Sequence, residues 1–166
     1  MVGLCDVCLI SPDRIVDRLP SATVDHQSNL DTERQSHRFL AETMAGFFVP
    51  NLAQRRPLLS ILGVSDGFTG AFDGIRTRKQ SFAEITTAGD FDLLETKTTA
   101  KHLPAFPKGF FFGMTENEEM LLKVLEGKYF LCFVSLHSSS KAFALVGWTD
   151  LKQLFRTKRI QYHVNF

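Results

Sequence analysis

The chain reads as an α/β protein with a mixed central β-sheet flanked by helices, and three stretches carry that reading. Residues 91–99, Phe-Asp-Leu-Leu-Glu-Thr-Lys-Thr-Thr, are short, rich in apolar and β-branched side chains and preceded by the turn signal Ala88-Gly89-Asp90, which predicts a strand. Thr115-Glu116-Asn117-Glu118 is a capping box, with Thr115 as N-cap and Glu118 at the third helical position; the helix it opens should run through Met120, Leu121, Val124 and Leu125 and stop at Gly127. Residues 129–136 then form an almost wholly apolar run, the pattern of a central strand covered on both faces.

The remaining elements follow in order. Residues 1–30 carry no clear pattern beyond a short helical stretch near 13–18 and a connector at Leu19-Pro20, so they are set apart as an N-terminal segment, with the domain proper over 31–166. Over 31–48 the spacing of Phe39, Leu40, Met44, Phe47 and Phe48 predicts a helix, with Ser28, Asn29 and Asp31 offering cap oxygens and Val49-Pro50 ending it. Residues 51–70 contain Arg55-Arg56-Pro57, an apolar run over 58–64 and a glycine-rich turn. Ala71-Phe72-Asp73-Gly74-Ile75 reads as the start of a strand. Residues 81–87 alternate and should pair with 91–99 as an antiparallel hairpin. After 99 comes a proline- and glycine-punctuated loop with bases and phenylalanines. Beyond 136 a serine-rich turn leads to a strand over 142–146, a short helix over 150–155 and a strand-like 160–166.

Composition narrows the classes. A chain of 166 residues with 44% hydrophobic and 22% charged side chains can bury a substantial single core. No apolar run approaches the ~20 residues that span a bilayer, and the N-terminus lacks a basic region followed by an apolar stretch, which argues against a membrane protein and a secretory signal. Three cysteines make an incomplete disulfide framework, pointing to a reducing, cytoplasmic setting. Cys5 and Cys8 form a C-x-x-C without the strand-then-helix context of a redox motif; with His26 they would still lack a fourth zinc ligand. Cys132 reads as a buried small hydrophobe. Net charge is +1, but it is uneven: residues 1–100 hold 10 basic and 13 acidic side chains (net −3) and residues 101–166 hold 9 and 5 (net +4).

Chemistry concentrates on the 91–99 strand. Alternation puts Glu95 and Lys97 on one face, two residues apart, and Asp92 on the other. A same-face ion pair on an exposed strand is one reading, worth under ~1 kcal/mol. A metal-ligating carboxylate beside a lysine that handles a nucleophilic water is the other. An upstream acid would complete it: Asp73 is the candidate, with Asp90 and Asp92 as rivals. Asp92 points the wrong way, and Asp90 sits where it would cap a turn. Glu42 lies at the edge of the apolar stripe of the 31–48 helix.

Glu95-Thr96-Lys97-Thr98-Thr99, with Asp73 before it and the capped helix and apolar strand after it, resembles the PD-(D/E)xK nuclease superfamily over roughly residues 34–147. The proline that opens the family motif is replaced by Phe72. The resemblance implies a restriction-endonuclease-like core and Mg2+-dependent hydrolysis of phosphodiester bonds in nucleic acid, DNA ahead of RNA, in restriction, defence or DNA processing. It implies Asp73, Glu95, Lys97 and Glu42 as catalytic residues. Asp73, Glu95, the Thr96 carbonyl and Glu42 would be metal ligands, with Mn2+ able to substitute. Lys101, His102, Lys108, Arg76 and Arg78 are the expected nucleic-acid contacts, and a homodimer is an option by analogy. The competing reading is a catalytically inactive nuclease-like module for nucleic-acid or protein binding, in which Glu95–Lys97 is an ion pair and nothing more.

Overall fold

The computed structural model describes the backbone of residues 22–154 and the side chains of residues 30–153. Four helices and five strands alternate: α1 (Ala22–Thr43), β1 (Phe47–Phe48), α2 (Leu52–Ile61), β2 (Gly74–Thr77), β3 (Phe91–Thr99), α3 (Glu116–Val124), β4 (Tyr129–Ser135), β5 (Ala142–Val146) and α4 (Trp148–Leu154). The strands form one mixed sheet in the order β1-β2-β3-β4-β5. Only β3 and β4 run parallel, joined through α3, with Glu95 level with Leu131 and Lys97 level with Phe133. The other neighbours are antiparallel. No described helix is long and apolar enough to cross a membrane.

Strand alternation sorts the core into two layers. On one face Leu94, Cys132 and Val134 pack with Phe39, Leu40 and Met44 of α1. On the other, Leu93, Leu131 and Phe133 pack with Leu58 and Leu59 of α2, Leu121 and Leu122 of α3, and Leu151 of α4. β3 and β4 are therefore covered on both sides, as the apolar run over 129–136 requires. Cys132 is buried, and burial pushes its thiol up to about 12.

The structure departs from the sequence reading in four places. The first helix begins at Ala22 and crosses the expected boundary at 30/31, so Ser28, Asn29 and Asp31 lie inside it rather than capping it. It ends at Thr43, because Phe47 and Phe48 pair with Arg76 and Ile75 as an edge strand. Gly46 makes that turn: its φ is +76°, and a Cβ there would stand 1.9 Å from the Thr77 carbonyl oxygen. Residues 52–61 are helical despite Pro57. The Asn51 side chain accepts from Gln54 N while the Gln54 side chain accepts from Asn51 N, and Leu58 and Leu59 are wholly buried.

Residues 81–87 do not pair with β3. That position is taken by β2, whose Gly74 stands opposite Leu94 and Thr77 opposite Phe91. Local side chains divert the segment instead: Asp90 Oδ2 accepts from Thr86 N and Thr87 N, and Ser81 Oγ donates to Glu84. Helix α4 starts two residues before the expected 150. The expectations for Cys5, Cys8, the 13–18 helix and the 160–166 strand lie outside the described residues, and His26 falls on α1 where no side chain is described.

Candidate active site

The site forms where β2 parts from β3. Gly74 is the last residue of β2 in register with β3, opposite Leu94. Just before it, Asp73 N donates to Leu94 O at 2.9 Å, and the Asp73 carboxylate turns along the edge of β3 to accept from Thr96 N at 2.9 Å. Asp73 thus replaces a ladder partner with a side chain and brings a charge beside the middle of β3. In a strand the N–H and C=O of one residue face the same neighbour, so the Thr96 carbonyl points to this side as well. The Thr96 side chain points to the opposite, α1-facing layer.

Two residues from distant elements fix the approach of Asp73. The Arg55 guanidinium of α2 donates to Thr69 O at 2.9 Å, to Pro50 O at 3.2 Å and to Asp73 O at 3.5 Å, and it lies 5.2 Å over the Phe72 ring. Tyr129, wholly buried at the start of β4, donates its hydroxyl to Ala71 O at 2.5 Å. Burial holds that phenol far above its ordinary range, with the charges of Glu95, Glu118 and Asp73 adding to the effect. It stays a donor at any working pH.

Glu95 and Lys97 share a face, as alternation predicts, and meet at 2.8 Å. Lys97 Nζ also reaches Glu118 Oε2 at 2.7 Å. Glu118 is the third residue of α3. Its carboxylate simultaneously accepts from Thr115 N at 3.2 Å, and its own N–H bonds the Thr115 hydroxyl at 3.3 Å. Glu95 is only 6% exposed and Glu118 5%. Burial is the largest cause that pushes the Glu95 carboxyl up, to about 8; the negative charges of Asp73 and Glu118 add to it, and Lys97 opposes it. Burial disfavours the Lys97 ammonium, but Glu95 and Glu118 outweigh that and raise it above its ordinary value. One cation is thus shared by two carboxylates, Glu95 and Glu118, and Glu95 also feels the negative charge of Asp73.

The expected residues divide sharply. Asp73, Glu95, Thr96 and Lys97 come together. Glu42 does not: it is exposed on α1, and α1 packs on the Leu94 face of the sheet, opposite to Glu95. Its place at the edge of an amphipathic stripe left open which face of the sheet the helix would cover. Arg76 and Arg78 are likewise turned away. Both pair with Asp92, at 2.7 and 3.8 Å, and Lys128 adds a contact at 3.5 Å. Asp90 caps its turn, as its position suggested. Lys101, His102 and Lys108 are exposed on the segment that follows β3. Glu118 is the residue the sequence reading missed at the site. The capping box announced its position on the helix, but not the lysine it would meet. Arg55 and Tyr129 gave no signal.

Comparison with known proteins adds nothing to this geometry. No family model matches the chain, and no curated protein or solved structure matches it.

Among the described residues no group of three or more His, Cys, Asp or Glu side chains is disposed to hold a metal ion. Glu95 and Glu118 both face Lys97 and Asp73 Oδ2 accepts from Thr96 N, so any oxygens offered to a cation would come from Asp73, Glu95 and the Thr96 carbonyl. Two carboxylates and a carbonyl, all hard oxygens, suit Mg2+, which keeps several waters and takes further oxygens from a phosphate.

Proposed function

We propose that the chain is a metal-dependent nuclease that hydrolyses phosphodiester bonds, with DNA as its substrate ahead of RNA. The observation that carries this reading is the convergence of Asp73, just before β2, and Glu95 of β3 beside the doubly held ammonium of Lys97. The order of elements supports it: a helix, three antiparallel strands with a second helix between the first two, a helix and a strand parallel to the third would make a restriction-endonuclease-like core.

Asp73, Glu95 and the Thr96 carbonyl would hold Mg2+ or, in its place, Mn2+. The ion would supply Lewis-acid charge to the phosphodiester and lower the pKa of a bound water. Lys97 sits where its ammonium can orient the attacking water and offset charge gathering on the phosphoryl oxygens. The water would give a proton to solvent as its oxygen bonds phosphorus, the P–O ester bond would break, and the leaving alkoxide would take a proton from a second water. Glu118 holds Lys97 from the far side, so the lysine stays in place when Glu95 turns to a cation. Leu93, Leu131 and Phe133 wall the cluster on its own face, which strengthens these interactions. Lys101, His102 and Lys108 are then the bases placed to meet the substrate backbone, and Glu42, Arg76 and Arg78 have no part in it.

The second reading is a catalytically inactive module, and the two short ion pairs of Lys97 favour it, since a fully satisfied buried lysine can be purely structural. Incubation with plasmid and single-stranded DNA, and with RNA, separates the two. The nuclease reading expects cleavage with Mg2+ or Mn2+ that EDTA abolishes and Lys97→Ala lowers by about 10²- to 10⁴-fold. Absence of cleavage on all substrates assigns the chain to the inactive module, and cleavage unchanged in Lys97→Ala removes the cluster from the chemistry.

A further inference from the structure

Phe111 is the most solvent-facing large apolar side chain among the described residues, at 85% exposure. It does not hang on a free loop. Its neighbours Phe110 and Phe112 both pack on Phe133, with ring centroids 4.6 and 4.8 Å away, and Phe110 lies nearly parallel to it at 10°. Phe106 adds an edge-on contact to Phe110 at 6.3 Å. Phe133 stands level with Lys97 on the adjacent strand. The segment is thus riveted beside the cluster by two aromatic rings while the ring between them is turned to water.

The charge of the segment names the occupant. Residues 100–114 contain Lys101, His102 and Lys108 and no carboxylate, and all three are exposed. Among the described residues, neither lysine forms an ion pair. An exposed aromatic ring on a segment that carries exposed lysines and no carboxylate is complementary to a nucleobase on a phosphate backbone: the ring stacks on the base and the lysines meet the phosphates. A base stacked between its neighbours inside a duplex has no free face to offer. The geometry points to Phe111 as a stacking platform for an unpaired nucleobase, so that the substrate of the proposed nuclease is single-stranded or locally unpaired nucleic acid. This inference rests on that reading for its substrate class, but stacking can be measured without cleavage.

The test uses the full chain and an oligonucleotide carrying 2-aminopurine, as a single strand and as a blunt duplex, in DNA and RNA forms, with Ca2+ present. Binding of the single strand should quench the 2-aminopurine. Phe111→Ala should weaken single-strand binding about 5- to 100-fold and remove the quench, leaving duplex binding unchanged, while Phe111→Trp keeps both. An exposed position leaves the Tm of both variants at the wild-type value. The inference is overturned if Phe111→Ala binds the single strand as the wild type does, if it loses duplex binding equally, or if sedimentation shows Phe111 holding a second copy of the chain. Equal binding by variants that still cleave overturns the platform and leaves the nuclease standing. Quenching by a wild type that cleaves nothing does the reverse.

Discussion

Strand β3 buries two carboxylates three residues apart, on opposite faces, and treats them in opposite ways. Asp92, 3% exposed, is met by three cations, Arg76 at 2.7 Å, Lys128 at 3.5 Å and Arg78 at 3.8 Å. Glu95, 6% exposed, shares the single cation Lys97 with Glu118 and feels Asp73 as well. The first cluster has more positive than negative charge, its cations reach water, and it pins β2 and β4 to β3. The second has more negative than positive charge, and its one cation is itself largely buried. A carboxylate surrounded by an excess of cations is spent on holding strands together. A carboxylate starved of them stores unfavourable energy, which the cation of the proposed metal site would relieve.

The largest effect expected from this contrast is at Glu95. Glu95→Gln should lower Mg2+-dependent cleavage by about 10²- to 10⁴-fold, measured on the substrate the wild type cuts best. The same substitution should change the pH dependence of stability. The folded-state value near 8 lies above the ordinary 4.5, so the native state holds a proton that the unfolded chain releases. That stabilisation is fully present below about 4.5 and is lost as pH rises through about 8, on the order of a few kcal/mol without metal. Denaturant unfolding in EDTA should show wild-type stability falling across this window and Glu95→Gln flattening the fall. A wild type equally stable from pH 5 to 9 would mean that Glu95 is not short of positive charge.

The opposite result is expected at Asp92. Asp92→Asn removes the buried anion that three cations surround and should cost about 2–3 kcal/mol, below the range for pairs buried on both sides because these cations can reach water. Chemical denaturation gives that number. The variant that remains folded should cleave at the wild-type rate, since Asp92 faces away from Lys97. A selective loss of cleavage with unchanged stability would break the contrast.

Glu118 sharpens it, because one carboxylate serves both a helix and a lysine. Thr115→Ala removes the cap hydroxyl without touching Lys97 and should cost about 1 kcal/mol of stability with cleavage unaffected. Glu118→Gln keeps an oxygen for the cap and loses the charge that steadies Lys97. It should hold stability near that of the wild type and lower kcat about 10- to 100-fold with little change in KM, as expected for a reacting group that drifts out of position. If both variants lose stability and neither loses kcat, Glu118 is a capping residue and nothing more.

How far the sequence disclosed this site depends on the range of the interactions involved. β3, α3, β4 and β5 were legible because turn residues, a capping box and apolar runs act within a few residues of one another. β1 was not, since two phenylalanines become a strand only when β2 lies beside them. α2 carried a readable signal in Asn51 and Gln54, and the proline downstream of it masked the helix. Alternation placed Glu95 and Lys97 together and Asp92 apart, and Asp73 was the upstream acid preferred over Asp90, whose position suited a turn cap. Only the fold brings Asp73 to Thr96, a contact across 23 residues, and Glu118 to Lys97, across 21. The same limit explains the reversal at residues 81–87. Their alternation was real, but Asp90 had already claimed the Thr86 and Thr87 amides.

Glu42 carries the smallest expected effect and tests the sidedness on which the contrast depends. Helix α1 buries Phe39, Leu40 and Met44 against Leu94, Cys132 and Val134, so its packed face meets the side of the sheet that Glu95 turns away from. Glu42 lies between Leu40 and Met44 in sequence yet is solvent-exposed, and the sheet separates α1 from the cluster. Glu42→Ala should therefore change stability by no more than about 0.5 kcal/mol and leave both cleavage and its dependence on Mg2+ concentration at wild-type values. A rise in the Mg2+ concentration needed for half-maximal rate, with stability unchanged, would show that Glu42 reaches the metal after all. The helix would then have to approach the site from the edge where β2 leaves β3, and the separation of the two faces of β3 into a structural side and a chemical side would no longer hold.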